Sequence, residues 1–139
     1  MKLQPDCIRA VLLAIEDSHK YYRDDSGNVT TDPVYFEALC KALPNYEPED
    51  VYYTLSNLEQ AGYISMKSTW SGGSLYMCQV NYMTFKGHEF LNEIHDSKRW
   101  EIVKKGLTSI RSYSLDAISA VAKGVAGASI QEFVKQLGL

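Results

Sequence analysis

The side chains able to hold a metal or attack a substrate are few: Cys7, Cys40 and Cys78, and His19, His88 and His95. The cysteines are 33 and 38 residues apart. None forms the Cys-x-x-Cys pair that a zinc knuckle or a dithiol redox centre needs. No His-Glu-x-x-His pattern brings two imidazoles onto one helix face. His88 falls beside the apolar face of its helix and reads as a partly packed structural residue. Gly72-Gly73-Ser74 lacks the Gly-Lys-Ser/Thr ending of a phosphate loop, and no Gly-x-Ser-x-Gly elbow is present. Carboxylates are plentiful, but nothing pairs two of them as acid and base. The expectation is a chain that is not an enzyme, with no metal and no cofactor.

What remains is recognition chemistry. A segment opened by Pro48 and stopped by Gly62 carries Val51, Leu55 and Leu58 at helical spacing. At 100° per residue the opposite face holds Glu49, Asp50, Tyr53, Ser56, Asn57 and Gln60. Asn57 and Gln60 have the amides that pair with adenine edges, and Tyr53 and Ser56 stand beside them. The charge opposes that use. No Lys or Arg occurs from Ala42 to Met66, whereas Glu47, Glu49, Asp50 and Glu59 do. Phosphate contacts carry much of DNA affinity through counterion release, and carboxylates there work against it. The structural alternative is that Glu47, Glu49 and Asp50 simply complement the helix N-terminus, at about 0.3–1 kcal/mol each. Trp70 is a large aromatic on a Gly-rich tip with Lys67 at its foot. It either anchors a partner or folds back on the sheet. The candidates for DNA or partner contact are thus Tyr53, Ser56, Asn57, Gln60, Lys67 and Trp70.

These residues need elements to position them. Pro5 opens a first helix that buries Ile8, Val11, Leu12 and Ile15 and fades near Ser18. A turn is expected at Asp25-Ser26-Gly27-Asn28, with a short strand at Val29-Thr30. Asp32 is expected to cap a second helix with Pro33 at its first position, and Phe36, Leu39, Cys40 and Leu43 then repeat at helical spacing. Pro44 ends it. Only a short turn separates it from the Pro48 helix, a helix-turn-helix. Tyr63 to Thr69 and Leu75 to Asn81 read as two strands around Gly72-Gly73. Ile64 and Met66 share one face of the first, and Tyr76, Cys78 and Val80 one face of the second. Thr84 caps a fourth helix that buries Phe90, Leu91 and Ile94.

Beyond Asp96 the character changes. Trp100, Val103, Leu107 and Ile110 form an apolar stripe among Lys98, Arg99, Lys104, Lys105 and Arg111. After Ser114 comes an Ala- and Gly-rich helix ending in Ile130, Phe133, Val134 and Leu137. Of the net charge of −3, residues 1–96 hold 7 Lys/Arg against 14 Asp/Glu, and residues 97–139 hold 7 against 3. An acidic module with a basic extension is not the footprint of a free DNA binder. At 139 residues and 45% hydrophobic content there is enough apolar surface for a core. No charge-free run reaches membrane-spanning length. The first residues lack an apolar signal segment, and the odd, unpaired cysteine count suits a reducing compartment.

Helix, hairpin, helix in this order resembles the second half of a winged helix-turn-helix domain. The resemblance is closer to a family of uncharacterised bacterial, phage and prophage proteins, a domain of unknown function. It is carried by Pro5-Asp6-Cys7-Ile8-Arg9, by Glu49-Asp50-Val51-Tyr52-Tyr53-Thr54-Leu55, by Leu58-Glu59-Gln60-Ala61-Gly62-Tyr63-Ile64, and by Thr84-Phe85-Lys86-Gly87-His88-Glu89-Phe90-Leu91. The segment from Ile94-His95-Asp96 to Trp100 and a small-residue helical tail complete it. The resemblance implies a fold and a phage context, but no catalytic residue. The expected architecture is α+β and mostly helical, with a winged helix-turn-helix domain over 1–96 and a helical extension over 97–139. The expected function is non-catalytic protein–protein interaction in the cytoplasm of a bacterial host, without membrane contact. Trp100, Val103, Leu107, Ile110, Ile130, Phe133, Val134 and Leu137 are the expected homodimer contacts. The alternative is a DNA-binding transcriptional regulator using the third helix and the wing.

Overall fold

The computed structural model describes residues 1–136, and side chains through Gly127. The architecture is α+β and mostly helical, with six helices and two small antiparallel sheets among the described residues. The chain divides into two units, Met1–His88 and Glu89–Leu139.

In the first unit, α1 (Pro5–Ser18) starts at a proline whose missing N–H costs nothing in a first turn. It buries Cys7, Ile8, Val11, Leu12 and Ile15. α3 (Pro48–Gln60) begins the same way and buries Val51, Thr54, Leu55 and Leu58 against α1. Thr54 is tolerated inside because its hydroxyl donates to the Asp50 carbonyl at 2.8 Å and lies 3.4 Å from Cys7 Sγ. Between them α2 (Phe36–Ala42) buries Leu39, and Leu43 follows as its buried C-cap. Each fully buried aliphatic side chain contributes about 1.5–3 kcal/mol.

The start of α2 differs from expectation. Asp32 does not cap it, and Pro33 is not its first residue. Val34 and Tyr35 instead form β3 (Val34–Tyr35), paired with Val80 and Gln79. Val34 thereby buries its branched side chain on the sheet. The Asp32 carboxylate is used elsewhere, accepting the Tyr22 hydroxyl at 3.0 Å. Tyr22 belongs to β1 (Tyr21–Arg23), a strand the sequence did not announce. It pairs with β2 (Val29–Thr31) across a turn in which Asp24 Oδ1 accepts from the backbone N–H of Ser26 and Asn28, both at 2.9 Å.

The second sheet has the order β3-β5-β4, from β4 (Ile64–Ser71) and β5 (Ser74–Met83). Gly72 and Gly73 join these strands with φ of 57° and 80°. A two-residue turn with both central φ values positive matches strand twist, and glycine adopts it without steric cost. The pairing slips twice. Thr69 faces Met77 while Trp70 faces Leu75, so Tyr76 has no partner. Ser65 faces Tyr82 while Met66 faces Val80, leaving out Asn81. An unpaired residue re-aims the side chains around it. Alternation puts Tyr76 on one face with Cys78 and Val80, but Tyr76 is 77% exposed while those two are buried. The second slip lets both Val80 and Met83 reach the core.

α4 (Phe85–Ile94) is capped by Thr84, whose Oγ1 accepts the Gly87 N–H at 3.1 Å and donates to the Gly62 carbonyl at 2.6 Å. A Cβ on Gly87 would collide with the Tyr63 carbonyl oxygen. That carbonyl already accepts the Thr84 N–H at 3.0 Å. Glycine is required there by close approach.

In the second unit, α5 (Ser97–Ile110) is capped by Asp96, which accepts from the Arg99 N–H at 2.8 Å. Arg111 turns the chain in a left-handed conformation, φ 57°. The Ser114 hydroxyl accepts from the Ala117 N–H at the head of α6 (Leu115–Gln136). Gly106 brings α5 close to Val121 of α6. Glu93 accepts from the Ser119 hydroxyl at 2.9 Å and pairs with Lys123 at 3.6 Å. Trp100, Val103, Leu107, Leu115, Ile118 and Ala122 are buried.

Candidate functional site

A groove in the first unit collects aromatic side chains from three elements. Tyr52 is its hub, one turn into α3, at the flank of the face that carries Val51 and Leu55. Its hydroxyl donates to Ser68 Oγ of β4 at 3.2 Å and accepts from Trp70 Nε1 at 3.1 Å. The Tyr52 and Trp70 rings meet edge-to-face, with centroids 5.5 Å apart at 76°. Phe36, at the head of α2, meets Tyr52 from another side at 6.0 Å and 89°. Edge-to-face geometry is the favoured arrangement of aromatic quadrupoles and adds about 0.5–1.5 kcal/mol per pair beyond burial. Trp70 therefore folds back on α3 through its edge and its N–H, yet stays 54% exposed.

Around this cluster lies an open hollow of about 460 Å³, bounded also by Pro48, Glu49, Tyr53, Ser56 and Leu75. A second hollow of about 370 Å³ shares Phe36, Pro48 and Leu75 with it and continues past Glu37, Cys40 and Tyr76. No lysine or arginine side chain lines either one.

Of the residues singled out from sequence, Tyr53, Ser56 and Trp70 come together at this groove. Asn57 and Gln60 lie further along α3 with their amides engaged. Asn57 Nδ2 donates to the Tyr53 carbonyl at 2.8 Å, and Gln60 Nε2 to Ser56 Oγ at 3.1 Å. Lys67 precedes Ser68 on β4, so strand alternation sends it to the other face of the sheet, away from Tyr52. In the C-terminal helices, Trp100, Val103 and Leu107 are buried within the one chain, whereas Ile110 is 55% exposed. The side chains of Ile130, Phe133, Val134 and Leu137 lie outside the described residues. Phe36 and Tyr52 were missed as functional residues. Helical spacing assigned Phe36 to a core stripe, and only the lean of the hairpin onto α3 identifies Tyr52.

Burial disfavours the thiolate form at all three cysteines. Burial pushes the Cys78 thiol up; the Ser68 hydrogen bond lowers it in part, and Glu37 adds to the rise. Burial likewise raises Cys7, with a partly offsetting bond from Thr54 and a further push from Asp50. Cys40 is raised by burial, then by Glu37 and Cys78. All three thiols are free and stay protonated at neutral pH. His19 shares a 3.0 Å hydrogen bond with the Thr31 hydroxyl. His88 is exposed rather than partly packed, because α4 turns its Phe90 and Leu91 side inward. Among the described residues no three His, Cys, Asp or Glu side chains gather as metal ligands would, and no helix is long and apolar enough to cross a membrane.

No match is found among curated proteins or among solved structures. A family described as "Hypothetical protein (DUF2513)" matches residues 2–114, which takes in all the groove residues named above and the whole of α5. With four-fifths of its length matched, the chain belongs to the DUF2513 family of hypothetical proteins.

Proposed function

We propose that Met1–His88 is a winged helix used to bind another protein, in a chain of phage or prophage type with no catalysis of its own. The winged-helix reading is supported by the order α1, β3, α2, α3, β4, β5, with the β1–β2 hairpin inserted after α1, by the short turn between α2 and α3, and by the pairing of β3 with the β4–β5 hairpin. The observation that carries the protein-binding reading is the aromatic groove itself. Where a DNA reader would offer cations between its third helix and its wing, this chain offers Phe36, Tyr52, Tyr53 and Trp70 with Glu49 beside them. Exposed aromatics in concave, apolar settings are the usual anchors of protein partners. The DNA-regulator alternative is weakened by the Asn57 and Gln60 amides bonded within α3 and by Lys67 on the far face of the sheet.

Self-association through the C-terminal helices is a subsidiary part of the reading. Ile102, 50% exposed, and Ile110 are the apolar side chains that α5 leaves for it.

A photo-crosslinking amino acid placed at Ser74, on the groove rim, tests the reading in bacterial cells. The expected result is protein adducts that disappear with Trp70→Ala and do not form from the same group at Lys67. Nucleic-acid adducts from Ser74, or duplex DNA binding in vitro tighter than about 10 µM at physiological salt, would replace it with the DNA-regulator reading.

A further inference from the structure

We infer that the groove takes a cationic partner segment: a short stretch of another protein in which an apolar anchor is flanked by arginine or lysine, arginine for preference. The inference rests on the protein-binding reading above and specifies the chemistry of what binds. Three independent observations lead to it.

The first is the sign of the rim. Glu49 lines the larger hollow and Glu37 the smaller; neither hollow has a lysine or arginine side chain, and the cationic group at the larger one is the α-ammonium of Met1, a main-chain end beside the aromatic floor. Glu47 and Asp50 flank Glu49 at the head of α3. The unit behind them is acidic on balance, since residues 1–88 hold 7 Lys/Arg against 11 Asp/Glu. Complementary potential accelerates encounter and rejects like-charged competitors. An acidic segment would meet these carboxylates unpaired.

The second is the floor. Phe36, Tyr52, Trp70 and Leu75 give an apolar surface that rewards an aliphatic or aromatic anchor, whereas a uniformly polar cation would leave it uncovered. The third is the ring geometry. Trp70 engages Tyr52 edge-to-face and remains half exposed, so part of the indole is open to a partner. Tryptophan is the best aromatic acceptor for a guanidinium, which also stacks flat where an ammonium does not. With Glu49 within the same hollow, one arginine could lie against an indole and face a carboxylate.

The test is selection of a random-peptide display library on the immobilised full-length chain, with counter-selection on Trp70→Ala. The expected result is enrichment of peptides with an apolar residue beside arginine or lysine. The best of them should lose about tenfold or more in affinity against Trp70→Ala, and as much against Glu49→Lys, with tighter binding at low salt. Glu49 is an exposed rim residue in the first turn of α3, so its reversal leaves the core side chains in place, and a denaturation curve on the variant separates loss of recognition from loss of fold. Enrichment of neutral or acidic apolar peptides that depend on Trp70 would overturn the cationic assignment and leave the protein-binding reading standing. Absence of any Trp70-dependent enrichment would overturn both. Indifference to Glu49→Lys would overturn the charge argument even for an arginine-containing peptide.

Discussion

Three helix-interior glycines give a stability series whose members should differ in sign. At Gly87 a methyl group runs into the Tyr63 carbonyl oxygen, which is backbone and cannot swing aside. Relief requires the head of α4 to lift from the Gly62–Tyr63 turn. That movement stretches the Thr84 N–H bond to Tyr63 (3.0 Å) and the Thr84 hydroxyl bond to Gly62 (2.6 Å). Overpacking of this kind costs about 1–3 kcal/mol, and two weakened hydrogen bonds cost about 1 kcal/mol each. Alanine returns about 1 kcal/mol in helix propensity. Gly87→Ala should therefore destabilise by about 2–4 kcal/mol. At Gly106 the new Cβ would lie 2.8 Å from Val121 Cγ1, a side-chain atom that can yield in part, so the net loss is smaller, about 0–2 kcal/mol. At Gly124 nothing lies within 4 Å among the described residues, so Gly124→Ala should stabilise by about 0.4–1 kcal/mol. Urea denaturation followed by far-ultraviolet circular dichroism measures all three. A Gly87→Ala protein as stable as wild type would refute the close approach at the Thr84 cap, and equal shifts at all three sites would refute the series.

Leu55 is wholly buried in α3 while Gln60 is exposed. Leu55→Ala should cost about 2–5 kcal/mol and Gln60→Ala no more than about 0.5 kcal/mol, as read by the same denaturation. Cys7, Cys40 and Cys78 all have thiol pKa values raised on folding. The folded state then holds thiol protons that the unfolded chain gives up, so this contribution is fully present below the ordinary thiol range and is lost as pH rises through and above it. Replacing Cys7 and Cys78 with alanine should flatten the alkaline limb of a stability-versus-pH curve; an unchanged limb would reject the assignment. Size exclusion with light scattering at about 100 µM, where weak association shows, should give a dimer that Ile110→Glu converts to a monomer, and a wild-type monomer would remove the self-association proposal.

Much of the helical framework was legible because its apolar residues repeat at the period the structure uses. Val51, Leu55 and Leu58 on α3, and Phe90, Leu91 and Ile94 on α4, are buried as their spacing implies. The Gly72-Gly73 turn and the Thr84 cap were equally local signals. What escaped were features decided by partners distant in sequence. Asp32 looks like a helix cap until Tyr22 takes its carboxylate. Tyr76 looks like a face-mate of Cys78 and Val80 until a register slip leaves it unpaired. The groove was half visible, since Tyr53, Ser56 and Trp70 stood out for their chemistry. Tyr52 joins them only because its hydroxyl bridges Ser68 and Trp70, 16 and 18 residues away. The Trp100, Val103 and Leu107 stripe was correctly seen as apolar, but spacing alone does not say which chain buries it.

The two tryptophans fall one to each unit, Trp70 half exposed on β4 and Trp100 buried in α5. Their placement makes the chain its own two-colour optical reporter. Trp100 should emit in the blue and resist a soluble quencher, while Trp70 should emit further to the red and be quenched readily. Trp70→Phe and Trp100→Phe then each leave a single lamp, lit in a different half of the molecule. Coincident melting curves from the two variants would mean that the halves unfold as one cooperative block. Separated curves would mean that each half has its own midpoint, and that a single unfolding free energy does not describe the chain. Because Trp70 also lines the groove, dimming confined to the Trp100→Phe variant would register an occupant directly, without a label.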